Sequence, residues 1–230
     1  MKKGLNLDYI LHYNMALVGG FLAGFAILCR TDFLGNAQTA NLIYLVHAIL
    51  GRNFYEVFLR IVALALYFSA AMVFVFIREK TPWDLKKCSL GIDCVAIILL
   101  GLIPLSVNPI IGLFPIFFAM SFQWNAFPGV SGYVSATVFS TNNTRQVALS
   151  VAEYLSSQDK MKLHKARFFL GSLASFHIGV AISYFVTNYI GLHGIWLSEI
   201  FLATAYGILY YIENTIGNKT IYSATSPLHQ

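Results

Sequence analysis

The chain has 230 residues, 57% of them hydrophobic and 11% charged, with a formal net charge of +5. A typical soluble domain is about 45–50% apolar and about 25% charged, so these charges are too few to build a water-facing surface, and a mean hydropathy of +0.67 agrees. A soluble globular enzyme, a disordered chain, a coiled coil and a disulfide-stapled mini-protein are thereby excluded. The composition predicts an all-α, polytopic transmembrane helix bundle, and at about 20 residues per span the length allows roughly six to eight spans.

In chain order, Lys2 and Lys3 could open a signal peptide, but the apolar stretch that follows is too long and lacks a small-residue cleavage site. It reads as a retained first span over residues 10–29. Further apolar runs cover residues 58–77, 90–105, 109–127, 168–190 and 195–212. They show no period-2 alternation and have the length of spanning helices. The tail, residues 214–230, is polar.

Two segments depart from this pattern. Residues 31–41 contain Asn36, Gln38, Thr39 and Asn41 and lead into a short apolar run. Residues 129–155 begin Gly-Val-Ser-Gly-Tyr and carry Ser135, Thr137, Ser140, Thr141, Asn142, Asn143, Thr144 and Arg145. Each follows a strong span and reads as a turn into an interrupted, polar helix. Thr39-Ala40-Asn41 aligns with Thr141-Asn142-Asn143, and the order of span, turn, broken polar segment, span, span repeats. The expected organisation is two membrane repeats, residues 1–108 and 109–213, followed by the polar tail.

Loop charge bears on orientation. If the broken segments do not cross, each half has three spans and the halves are inverted. An inside N-terminus then leaves only Arg30, Arg52 and Arg60 outside, with the other lysines and arginines inside. Full crossing by the broken segments gives eight spans in parallel halves and moves Arg78, Lys80, Lys86 and Lys87 outside, a poorer fit to the positive-inside rule.

In hydrocarbon an unpaired backbone N–H or C=O costs several kcal/mol, and irregular chain survives only when protein or a wet cavity shelters it. Two such breaks lined by Asn, Gln and Thr suit a pathway for a small polar or anionic solute. The candidate binding residues are Asn36, Gln38, Thr39 and Asn41 in the first half. In the second they are Gln123, Asn125, Ser140, Thr141, Asn142, Asn143 and Arg145. The competing reading is that these amides simply join helices. Asp93, His177 and Glu199 lie in apolar runs. They read either as a proton or ion relay or as groups at the headgroup level and in local packing. Glu56 and Arg60 have ion-pair spacing, Gly20 and Gly24 allow close helix approach, and Arg30 with Asp32 flanks the first turn.

No metal or cofactor motif is legible, and Cys29, Cys88 and Cys94 read as free thiols. No nucleophile elbow, zincin, Walker or dinucleotide fingerprint points to an enzyme. The partners implied are the bilayer and the solute, with a homo-oligomer left open; the scattered basic residues do not suggest nucleic acid.

Gly19-Gly20-Phe21-Leu22-Ala23-Gly24-Phe25 followed by Asn36-Ala37-Gln38-Thr39-Ala40-Asn41-Leu42 resembles the first signature of the YoaK/DUF1275 family of bacterial integral membrane proteins. The run from Phe118 to Phe127 followed by Phe139-Ser140-Thr141-Asn142-Asn143-Thr144-Arg145 resembles the second. The resemblance covers roughly residues 12–212. It implies about six spans in a bacterial plasma membrane and supplies no reaction. Many members have an acidic residue where this chain has Ala23, and glycine where it has Ala40 and Asn142.

Overall fold

The computed structural model describes residues 3–30 and 38–217. Asn36 and Asp32, together with residues 218–230 of the tail, lie outside the described residues. The described chain is a helical bundle. Its helices are α1 (Lys3–Cys29), α2 (Gln38–Leu50), α3 (Phe54–Lys80), α4 (Leu85–Leu102), α5 (Pro109–Gly112) and α6 (Phe114–Ala126). A hairpin of β1 (Gly129–Val130) and β2 (Tyr133–Val134) follows, then α7 (Thr141–Ser157), α8 (Lys160–Ile190), a 3-10 helix (Gly191–Ser198) and α9 (Glu199–Ile212).

Helix starts follow local chemistry. Asn53 accepts from the Glu56 amide at 3.2 Å and donates to its carboxylate at 3.2 Å, a reciprocal cap on α3. Asp84 accepts from the Lys87 amide at 2.8 Å to open α4, and Asp159 from the Met161 amide at 2.8 Å to open α8. Asn108 caps α5 with Pro109 at its first position, where a missing N–H costs nothing. Replacing Asp84 with alanine is expected to cost about 1 kcal/mol, read as a lower thermal midpoint in detergent.

Among the described residues, three helices are long and apolar enough to cross a membrane: Leu7–Cys29, Phe54–Lys80 and the stretch opening with α8. The expected run at 90–105 begins earlier, as α4, and carries Lys86, Lys87 and Asp93. The run at 109–127 divides into α5 and α6 at Leu113. The last run is 3-10 up to Ser198 and α-helical only from Glu199; hydropathy does not distinguish these two backbone ladders.

α1 is apolar all round, as befits a buried helix. Its partners are α8 and α9, whereas α6 packs against α3 and α4. α2 lies on α3, α7 on α8, and α4 on α9. The Asn14 amide donates to the Phe201 carbonyl at 2.7 Å, joining α1 to α9. The Ser121 hydroxyl donates to the Tyr67 carbonyl at 2.8 Å, joining α6 to α3.

The α1–α8 contact is backbone to backbone. A Cβ on Gly20 would fall on the Phe176 carbonyl, and one on Gly179 on the Leu17 carbonyl. Gly91 of α4 differs, since a Cβ added there would meet nothing within 4 Å. Gly91→Ala is therefore expected to stabilise the protein by about 0.5–1 kcal/mol through helix propensity alone, measured as a raised unfolding midpoint.

Candidate functional site

The second break is real. α6 ends at Ala126, and the chain turns through a two-residue hairpin loop at Ser131 (φ 55°) and Gly132 (φ 81°). Two successive positive φ values make the tight turn whose twist matches paired strands. The chain then runs, neither helix nor strand, into the core, where Ser135, Ala136, Thr137 and Val138 are all buried.

This buried non-helical stretch is held by side chains. His12 Nε2 lies 3.0 Å from the Ser135 hydroxyl, which reaches Asn143 Oδ1 at 3.1 Å and Ser172 Oγ at 3.3 Å. The Asn143 amide donates to the Ala136 carbonyl at 2.7 Å. Gln123 Nε2 donates to the Met15 carbonyl at 3.1 Å and to Thr137 Oγ1 at 3.0 Å, while Gln123 Oε1 has no partner among the described residues. Side chains of α1, α6, α7 and α8 thus anchor the stretch, and the Asn143 amide serves one of its backbone carbonyls.

The first-half candidates form a separate cluster. Asn41, fully buried, donates to Gln38 Oε1 at 3.1 Å and to the Arg60 carbonyl at 3.2 Å, and accepts from Arg60 Nη1 at 3.4 Å. Arg60 meets Glu56 at 2.6 Å, the expected ion pair, and its guanidinium stacks 4.7 Å over the Tyr44 ring. α2 packs on α3 and α7 on α8, so the two Thr-x-Asn triplets sit on different supports.

Other candidates point elsewhere. Thr39, Asn125, Thr141 and Arg145 are exposed, and the Asn125 amide returns to the Ser121 carbonyl at 2.8 Å. Ser140 and Asn142 are half-buried, and Asn142 reaches the Val134 carbonyl only at 3.5 Å. His177 is exposed on α8, its Nδ1 2.8 Å from the Leu173 carbonyl. Asp93 is fully buried in the middle of α4, and Glu199 is half-buried at the first position of α9.

Whereas Asp32 lies outside the described residues, Arg30 is engaged at the end of α4. Its guanidinium donates to the carbonyls of Leu100, Ile103 and Pro104, at the C-terminal end of α4. A cation there satisfies carbonyls that lack helical partners. His12, Ser135, Thr137, Ser172 and Arg30 emerge as site-forming residues only in three dimensions, because their partners lie far along the sequence.

Outside the spans, Glu153 of α7 lies 2.9 Å from Lys162, which holds that carboxyl below its ordinary value. Any stability from the pair is present above about pH 4.3 and is lost as pH falls through the lowered value. Lys162→Met is expected to return the Glu153 titration to the ordinary carboxylate range, observable by NMR.

An open groove of about 760 Å³ lies between α3 and α4 over α6, lined by Leu66, Val95, Leu99, Phe114 and Phe118. Its walls are apolar and suit hydrocarbon rather than a polar solute. Among the described residues no group of three His, Cys, Asp or Glu side chains is placed to hold a metal ion.

Apolar helices of spanning length, an irregular segment sheltered in protein and an acid buried in mid-helix define the class as an integral membrane protein of helical-bundle type. Residues 11–208 match the family model described as "Protein of unknown function (DUF1275)", and the chain belongs to that family. No curated protein and no solved structure matches it.

Proposed function

We propose that this is a six-span bacterial plasma-membrane protein with a cytoplasmic N-terminus, built from inverted repeats over residues 1–108 and 109–213. In this reading it moves a small polar or anionic solute between its halves, passively or coupled to an ion, and has no catalytic role. The observation that carries the reading is the exchange of central helices. Swapping α1 with α6, α2 with α7, α3 with α8 and α4 with α9 turns α1–α8 packing into α6–α3 and α1–α9 into α6–α4. Inverted repeats meeting through paired central helices are a common way to build alternating access.

The test is reconstitution into vesicles with stopped-flow light scattering, using urea, glycerol and sodium formate as probes. Faster entry of at least one probe than in protein-free vesicles is expected, reduced by Asn41→Leu with Asn143→Leu in a variant that remains monodisperse. Entry at the protein-free rate for all three probes overturns the reading.

One observation favours a second reading, a non-transporting scaffold. Asn41 and Asn143 spend their amides on neighbouring protein groups, which is how polar side chains join membrane helices. In that case the double substitution lowers stability and leaves vesicle permeability at the protein-free level.

A further inference from the structure

Asp93 lies eight residues beyond Leu85 in the 18-residue helix α4, about 12 Å along a rod of roughly 27 Å. It is therefore near mid-helix and fully buried. The Ser89 hydroxyl donates to Oδ2 at a long 3.4 Å, and Oδ1 has no partner among the described residues. Across the α4–α9 contact stands Glu199, half-buried where the 3-10 backbone becomes α-helical. Its carboxyl group lies in electrostatic reach of Asp93 and Cys94, and Oε1 is likewise unpartnered.

Among the described residues, the surrounding elements bring no counter-cation to this pair. On α4, Lys87 is tied to Glu213 at 2.6 Å, beyond α9, while Lys86 is in electrostatic reach of His12 on α1. Both lysines lie about two turns from Asp93. Arg30, just beyond α1, is engaged by carbonyls at the opposite end of α4. On the 3-10 helix, the His193 ring lies tilted against Trp196, 4.9 Å between centroids. α9 adds the exposed Tyr206 and Tyr210, and α6 contains no titratable side chain. On α3, Arg78 pairs with Glu79 at the helix end, and Tyr67 lies beside Ser121.

A carboxylate fully buried as Asp93 is, with a second acid across the helix seam, carries a heavy desolvation cost, which neutralisation by a proton removes. A protonated Asp93 would have an O–H in the place where an oxygen now stands unpartnered. A dehydrated metal cation would call for more oxygen ligands than two carboxyls and one serine supply.

We propose that Asp93 and Glu199 form a proton-binding site between the two halves, with Asp93 holding the proton and the more accessible Glu199 exchanging it. The site rests on the α4–α9 packing. Joined to the transport reading above, on which only its coupling role depends, it identifies the coupling ion as a proton.

The experiment is infrared difference spectroscopy on the full chain in lipid nanodiscs, titrated from about pH 4 to pH 9. A carboxylic C=O band that titrates is expected in the wild type and is lost in Asp93→Asn. It persists in Glu199→Gln with its midpoint moved by about one pH unit or more. If Asp93→Asn does not fold, Asp93→Glu is expected to keep a band at an altered frequency. A wild type without a titrating band, a band unaltered in Asp93 variants, or one abolished by sodium chloride at fixed pH overturns the proposal. A titrating Asp93 band in a protein that moves none of the three probes sinks the transport reading alone. Probe flux from a wild type lacking the band sinks the proton site alone.

Discussion

Gly20→Ala is expected to lower stability by about 3 kcal/mol, at the upper end of what overpacking costs, and Gly20→Leu to prevent assembly of the bundle. The reason lies in what the added carbon would meet. It would fall on the Phe176 carbonyl of α8, and the reciprocal carbon on Gly179 would fall on the Leu17 carbonyl of α1. A flexible side chain could swing away from such a contact, but two helical backbones cannot. With lipid outside and protein inside almost equally apolar, close van der Waals packing is a main source of helix association in membranes. Holding α1 even one ångström further from α8 would weaken the whole seam. The measurement is the unfolding midpoint in a detergent titration, with Gly91→Ala as the control that moves in the opposite direction.

Arg30→Leu is expected to cost about 3 kcal/mol, the upper range for losing hydrogen bonds to a charged group and leaving buried acceptors unpaired. The guanidinium serves the carbonyls of Leu100, Ile103 and Pro104 together. Its removal leaves the end of α4 without those donors. Lysine preserves the charge but lacks the planar fork, so Arg30→Lys should recover less than half of the loss. Faster amide hydrogen exchange around residues 100–104 would locate the damage. Unchanged exchange there, together with an unchanged midpoint, would show that water already serves these carbonyls.

The features readable from sequence were those set by local spacing. Apolar runs located the main helices, Gly20 with Gly24 marked close approach, and Glu56 with Arg60 marked an ion pair one helical turn apart. The polar stretch after Phe127 announces a break, and the chain there is a short hairpin followed by buried non-helical backbone. What escaped was long-range pairing. His12 meets Ser135 across 123 positions, and Arg30 meets Leu100 across 70. Neither residue type nor helical spacing encodes such a meeting; it follows from which helices become neighbours. The same holds for the α4–α9 packing, which local hydropathy could not reveal. The candidate amides were recognised as unusual, but only their partners reveal that Gln123 and Asn143 bind the chain's own carbonyls.

The packing of α1 against α8 and α9 bears on how the protein is made. α1 emerges from the ribosome first, yet its chief companion is α8, which begins at Lys160. At about 5–20 residues per second, the nascent chain must wait on the order of ten seconds before that companion exists. Meanwhile Gly20 and its neighbours face lipid or an insertion chaperone, and the Met15 carbonyl has yet to meet Gln123. Without α8 and α9, α1 lacks its packing partners, so the end of the chain must be made before its first helix can settle.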